Sequence, residues 1–460
     1  MTSLPMPTAP RRLLPLVATA VLLFAPGFRQ NALRAQGPTD PLTLAEAIAW
    51  GVDNDLAAAG QRLAVEVAAR NDNWVTAGRR PLVQATLDVA PSFNSQDNPA
   101  SFINGTFFNG AATAGLQASY TLFNGYRVRF ARRQLGQQVE LADAQLRQLL
   151  ETSVFGVTEA YYTAQLRQAE EALARELLAL SRDRVAYQRT RRAYGQGSSL
   201  ELLQARTSAL QDSAAVERAE LATANARRAL YLALDAPADA FAGRALGDTL
   251  TYTPGSLDPD AVASRLDSAA SLRLLRTQER LALTQTELAR AALQPTVNVT
   301  AGLTHTRTAL RFLGEVGEMG PPDEFIFGTQ GSGRVGVTAA YTLFDAGQRR
   351  RDVANAVTQE RVARLAVDDA RRGAEWTAGS LLASRAAQLE LLGVQDALLA
   401  TARANLAVAD EQLRAGAINS FDVRALQLAY LQAAQARLGL VYNLLVTELQ
   451  LRRLTGGLVG

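Results

Sequence analysis

The sequence predicts an α+β membrane protein built from two internal repeats, each joining a β-hairpin to helices far longer than those of ordinary domains. Three observations predict it. Four short runs alternate apolar and polar residues, as half-buried strands do. Two long windows, 100–236 and 323–460, contain no proline, and Pro99 and Pro321-Pro322 stand just before them. Finally, Tyr120-Thr121-Leu122-Phe123-Asn124-Gly125 returns in the second half as Tyr341-Thr342-Leu343-Phe344-Asp345-Ala346-Gly347. Each copy ends an alternating run and opens a helical one, so the hydrophobic period changes from 2 to about 3.6 at the same place twice.

In chain order, Arg11-Arg12 followed by the apolar stretch Leu13–Ala25 reads as an export leader, with cleavage after Ala35. Its apolar core is too short for a spanning helix, which needs about 20 residues. Asp40 or Thr43 can cap a first helix over 44–78, which Pro81 stops. A hairpin follows over 82–123: Val83, Ala85, Leu87 and Val89 face one side in its first strand, and Leu116, Ala118, Tyr120 and Leu122 in its second. The Asn-, Gly-, Ser- and Phe-rich stretch between them reads as loop. Asn124 or Gly125 opens a helix to Tyr194, roughly 105 Å long at 1.5 Å per residue. Gly195–Ser199 breaks it, and a second helix runs over 200–234. The order then repeats as a helix over 260–293, a hairpin over 295–344, a long helix over 346–413, a break at Gly416–Ser420 and a helix over 421–454. This divides the chain into a leader (1–35), a first repeat (36–256) and a second repeat (257–460). His305 continues the outward-facing series beyond Leu303 and reads as rim or loop.

Composition excludes several classes. There is no cysteine and one histidine, so thiolate metal sites, disulfides and a His-based triad are unsupported, and no motif supplies a nucleophile, base or metal set. No cofactor and no enzymatic activity are expected. All 47 basic residues are arginine, set among 44 acids for a net charge of +3, with no basic face that would mark nucleic-acid binding.

Each predicted strand of about eleven residues would cover roughly 25 Å of bilayer when tilted. An ordinary sheet with one buried face alternates identically, but the leader and the shortage of other core-forming elements favour the membrane reading. Spanning strands must close into a barrel because lipid cannot pair an open edge. Four strands are too few for a channel. Three chains would supply twelve.

At the two strand-to-helix joints, at the turn Gly416-Ala417-Ile418-Asn419-Ser420-Phe421-Asp422-Val423 with its echo over Gly195–Leu202, and at the closing Leu454-Thr455-Gly456, the chain resembles the TolC-like outer-membrane efflux protein family over residues 40–457. The resemblance implies a homotrimer: a twelve-stranded outer-membrane β-barrel continued by a periplasmic barrel of long antiparallel helices. It implies the exit duct of a tripartite efflux system, docked to a periplasmic adaptor (membrane fusion) protein and an inner-membrane transporter and surrounded by outer-membrane lipid. A duct for a type I protein secretion system shares this architecture, and a periplasmic coiled-coil adaptor or structural rod shares only the helices. In the family, carboxylates after the tip turns line a narrow periplasmic entrance. Asp422 matches the first of these, Glu201 stands at the equivalent place in the first repeat, and Ala425 replaces a second Asp. Both acids also suit a helix's first turn. Ile418 stands where the family has an Arg near the tip. Gly195, Gly197, Ser198, Gly416, Asn419 and Ser420 are the candidate adaptor contacts, although Gly and Ser also suffice for a plain turn. Tyr120, Phe123, Tyr341 and Phe344 are candidate interfacial aromatics, or strand-end packing residues.

Overall fold

The computed structural model describes residues 40–97, 105–237, 240–241, 244–255, 259–313 and 324–458. The expected leader lies outside the described residues.

The first helix expected over 44–78 is two helices, α1 (Leu44–Asn54) and α2 (Leu56–Asn71). Asp55 sits between them with extended backbone, and its carboxylate accepts the Ala58 N–H at 2.9 Å. An acid able to cap is what splits the run. Strands β1 (Leu82–Gln96), β2 (Gly105–Phe123), β3 (Thr296–Phe312) and β4 (Ile326–Ala340) form one antiparallel sheet in the order β1-β2-β3-β4. All four run further into the expected loops than propensity suggests. Pro91 lies inside β1, where an edge strand tolerates the missing N–H. His305 is no rim residue: it lies within β3, between Ala114 of β2 and Gly331 of β4.

Cross-strand pairing assigns the two faces. One carries the tiers Val83–Ala118–Ala301–Val335 and Ala85–Leu116–Leu303–Gly333. The other carries Thr86–Gly115–Thr304–Ser332 and Asp88–Thr113–Thr306–Gln330, with Thr113 bonded to Thr306 at 3.1 Å and Thr304 to Ser332 at 2.6 Å. The sheet is apolar on one side and a ladder of hydroxyls and amides on the other.

Helices α3 (Arg127–Ala193) and α4 (Ser199–Ala233) follow the first hairpin. The helix expected over 260–293 is interrupted: α5 (Pro259–Arg265), a 3-10 turn (Leu266–Ser268) and α6 (Ala270–Ala291), because buried Ala269 takes an extended backbone. Helices α7 (Gln348–Arg414) and α8 (Ser420–Leu454) follow the second hairpin. Both long helices have 67 residues and both shorter ones 35, and the second pair keeps the spacing of the first without a residue gained or lost. At 1.5 Å per residue the long helices reach about 100 Å. Among the described residues no helix is long and apolar enough to cross a membrane.

Packing is a string of small clusters along the helices rather than one core. The largest gathers Leu42, Val157, Tyr161, Leu230, Leu234 and Phe241. There the chain's first described segment is clasped: Leu42 bridges Leu246 in parallel, Arg244 forks onto both Glu46 carboxylate oxygens at 2.9 and 2.8 Å, and the buried Tyr161 hydroxyl lies 2.8 Å from the Leu42 carbonyl. The Arg244 fork holds the Glu46 carboxyl below its ordinary value.

The joints turn the chain from strand to helix through two successive left-handed residues. These are Gly125 and Tyr126 in the first joint (both φ 66°), and Ala346 and Gly347 in the second (φ 52° and 78°). Gly125 is forced twice over, since a Cβ there would lie 2.6 Å from the Ala291 carbonyl oxygen. Gly125→Ala should therefore cost about 2 kcal/mol or more, roughly 1 from the left-handed backbone and the rest from the clash. Ala346→Gly, at the equivalent place, should be neutral or stabilising. Thermal dissociation of the two variants checks the asymmetry.

Candidate functional site at the helix tips and joints

Both tips are built alike. Helix α3 ends in a left-handed Gly195 (φ 71°), with the Gln196 N–H donating to the Arg191 carbonyl at 2.9 Å and the Gly195 N–H to Arg192 at 3.0 Å. Helix α7 ends in Gly416 (φ 75°), with the Ala417 N–H on Gln412 at 2.9 Å and the Gly416 N–H on Leu413 at 3.1 Å. This paired closure satisfies carbonyls that a helix end would otherwise leave unbonded. Next comes a capping residue. Ser198 Oγ accepts the Leu200 N–H at 3.1 Å, and Asn419 Oδ1 accepts the N–H groups of Phe421 and Asp422 at 2.9 and 3.0 Å. Gly197 is needed because a Cβ would meet the Arg192 nitrogen at 3.0 Å. Its counterpart in the second tip, Ile418, instead packs against Ala409, Leu413 and Val423.

The two candidate entrance acids differ in circumstance. Glu201 Oε2 accepts the Ser198 N–H at 3.4 Å and completes a capping box. Asp422 is exposed, and its carboxylate has no bonded partner among the described residues. The structure brings the two tips to one end: Ser420 and Phe421 share a cavity of about 400 Å³ with Leu200 and Leu203. Tyr187 on α3 donates to the Leu413 carbonyl at 2.8 Å. Glu201 and Asp422 do not touch each other.

What sequence reasoning missed is the polar tie behind the tips. Arg424 on α8 forks onto Asp212 of α4 at 2.7 and 2.8 Å, and Ser181 of α3 donates its hydroxyl to the same carboxylate. Three helices meet at one buried ion pair. Beside it Arg184 is buried, its one hydrogen bond among the described residues going to the Ser420 carbonyl at 3.4 Å, and burial pushes its pKa down, with Arg424 adding repulsion. A signal existed in the sequence. Leu202, Ala205, Asp212, Val216, Thr223 and Leu230 form the buried seam of α4, and a carboxylate on such a seam must find a partner.

At the other end, the expected interfacial aromatics divide. Phe123 closes β2 and meets Tyr126 edge-on at 5.6 Å, and Tyr120 is half-buried within β2. Tyr341 and Phe344 are exposed and lie beyond β4, which ends at Ala340 rather than continuing to Leu343. The strand stops there because Arg349 ties the bend, donating to the Thr342 carbonyl at 2.6 Å, the Ala292 carbonyl at 3.1 Å and Asp345 at 2.7 Å. That same arginine holds the Asp345 carboxyl below its ordinary value.

This combination of a four-stranded sheet, one apolar face and two matched helical hairpins can be set beside known proteins. The family described as outer membrane efflux protein matches residues 52–236 and 262–457, most of the chain. The chain belongs to the outer membrane efflux protein family. As an outer-membrane efflux protein it lies in the outer membrane and extends into the periplasm, and its family and fold are those of channels rather than enzymes. Among solved structures, the chain is similar to the outer membrane protein VceC of Vibrio cholerae (TM-score 0.75, 17% identity, 90% of this chain and 96% of that one). It is also similar to the MtrE channel of Neisseria gonorrhoeae in its open state (0.72, 17%, 92% and 92%). The CmeC channel of Campylobacter jejuni is another match (0.75, 14%, 90% and 85%). No curated protein sequence matches. Among the described residues no cluster of acids and histidine could hold a metal ion.

Breaking the buried pair by Arg424→Ala should cost about 3–5 kcal/mol, because Asp212 keeps its burial and loses its counter-charge. Arg424→Met with Asp212→Leu should recover most of that loss. Chemical denaturation of the three proteins checks it.

Proposed function

We propose that three copies of this efflux protein pool their strands into a twelve-stranded barrel and form the exit duct of a tripartite efflux system, conducting small molecules delivered through a periplasmic adaptor and an inner-membrane transporter. The observation that carries the reading is the open sheet. Among the described residues strand β1 pairs only with β2 and β4 only with β3, so both edges are unfilled. Its apolar face has no covering layer: Leu87 and Val335 keep 77% and 80% of their surface exposed. A sheet with both properties fits lipid on one side and a neighbouring copy at each edge. Helix α7 supports the same assembly, since Val362, Leu365, Trp376, Leu391, Val394 and Leu398 form an exposed apolar seam along it. Residues 36–256 and 257–460 are then two structural repeats, each giving the barrel a hairpin and the tunnel wall its helices.

In this assembly the tip turns, Gly195–Ser199 and Gly416–Ser420, meet the adaptor. Asp422 lines the entrance. Glu201 is held back by its capping bond and acts first as a structural acid. Three free carboxylates around a narrow opening would attract cations and disfavour anions.

Membrane fractionation should place the protein in the outer membrane as a heat-modifiable trimer, and a soluble monomer would overturn the reading. In planar bilayers, Asp422→Ala should weaken cation selectivity and block by divalent ions. Glu201→Ala should alter stability by about 0.5–2 kcal/mol, through the lost capping box, more than it alters selectivity. Equal selectivity in wild type and Asp422→Ala would return Asp422 to a first-turn role.

A further inference from the structure

The apolar face of the sheet changes character at its far end. Above Leu87 the tiers become Val89–Ala112–Arg307–Thr329, then Pro91–Gly110–Ala309–Phe327, then Phe93–Phe108–Arg311. Four rings cross this end: Phe93 meets Phe108 at 5.3 Å, Phe108 meets Phe325 at 6.0 Å, and Phe325 stacks with Phe327 at 6.1 Å. Two guanidiniums lie among them, Arg307 at 5.3 Å from the Phe327 ring centre and Arg311 at 5.4 Å from Phe325. Phe93 belongs to β1, Phe108 to β2 and the Phe325–Phe327 pair to the start of β4, so the row spans the whole sheet.

Depth gives the row its meaning, and this step rests on the barrel reading above. Taking the tier of Val299 and Val337 as the base of the apolar band, Arg307 and Arg311 stand about 19 and 28 Å higher, at ~3.3 Å per residue and a ~45° tilt. A lipid-facing band is about 25 Å tall. The two arginines therefore bracket its outer edge, with the rings where an interfacial girdle belongs. A lipid-facing arginine is costly at mid-membrane but close to neutral at that edge, where its stem lies along apolar surface and its head reaches the polar layer.

Charge narrows the occupant. The four strands hold a single acid, Asp88, and it lies on the opposite face in the Thr113–Thr306 tier. Arg307 is exposed and has no ion pair or hydrogen bond among the described residues. Planar guanidiniums recognise phosphate oxygens in pairs, and the adjoining rings supply the apolar contact that an acyl chain needs. We propose that Arg307, set in the Phe93–Phe108–Phe325–Phe327 row beside Arg311, binds a phosphate group of a phosphorylated lipid in the outer leaflet. Three such rows would ring the barrel and fix its height in the membrane.

The test uses the purified full-length trimer and two probes with the same acyl body, diphosphoryl lipid A and its dephosphorylated form, followed by native mass spectrometry. Wild type should retain the phosphorylated probe in preference to the other. Arg307→Gln should lower its retention about fivefold or more. Arg334→Gln, on the opposite face in the Gln117–Gly302 tier, should change nothing. Equal retention of the two probes by wild type would overturn the proposal, as would a loss in Arg334→Gln equal to that in Arg307→Gln. Heat-modifiability of the same preparation separates the two readings. A membrane-extracted trimer without lipid preference sinks this proposal alone, and no trimer sinks the barrel as well.

Discussion

Lipid cannot hydrogen-bond a peptide group, and the structure is arranged around that constraint. Two hairpins paired through β2 and β3 satisfy the interior strands and leave β1 and β4 each with one unfilled edge. Among the described residues, Pro91 in β1 is the one usual blunting device on the apolar side of either edge. Beyond Pro91, β1 carries no charge on its apolar face, and β4 is long and glycine-rich. Such edges suit a surface that another strand is meant to fill. A helix cannot fill them, and the chain contains no fifth strand among its described residues. The proposed closure by further copies rests on this backbone chemistry, independently of any comparison with relatives.

The two joints reach the same turn by different means. Each joint needs two left-handed residues, but glycine occupies the first place in one and the second place in the other. At the first joint the chain presses on the end of α6, so only Gly125 fits. At the second, the Ala346 side chain is accommodated, while Arg349 draws together Thr342, Asp345 and Ala292. Close approach and an ion-bonded staple give the same turn. The tips show a parallel contrast, since Gly197 lets the chain pass tightly over Arg191 and Arg192 where Ile418 packs outward into a small cluster.

Helix lengths, joints and tip turns were legible because each carries a local signal: absent proline, a change of period, glycine at a left-handed position. Strand length was not. Residues 91–96 and 105–112 have loop composition, with Asn109, Gly110 and Pro91 among them, yet the neighbouring strands impose pairing that outweighs propensity. The split at Asp55 was hidden because a helical pattern continues through it and only the cap geometry reveals the break. Arg424 and Asp212 were missed for another reason. Charges on a helix are usually solvated, and only their place on the packing seam marks them as buried.

That seam also changes along its length in a way that bears on the proposed entrance. Near the clasp, α3 buries Val154, Val157, Tyr161 and Ala164; toward the tip it buries Ser181, Arg184 and Gln188. Helix α8 changes likewise, from Val441 and Leu444 to Gln427. Arg184 Nε, both polar atoms of Gln188 and Gln427 Oε1 have no partner among the described residues, and a cavity of about 540 Å³ opens beside Arg184 and Gln427. A buried polar group without a partner costs about 1–3 kcal/mol, and that cost disappears once water reaches it. Separating α8 from α3 where Leu166 meets Val441, just beyond the clasp, would expose apolar surface with no return. At the tip it would hydrate the unpaired groups, so the resistance there comes from the Arg424–Asp212–Ser181 tie and the small apolar cluster of Tyr187, Leu413 and Val423. The helices are thus held mainly by apolar packing about midway along α3, and at the tips, where the entrance is proposed to lie, by a polar tie beside a smaller apolar cluster.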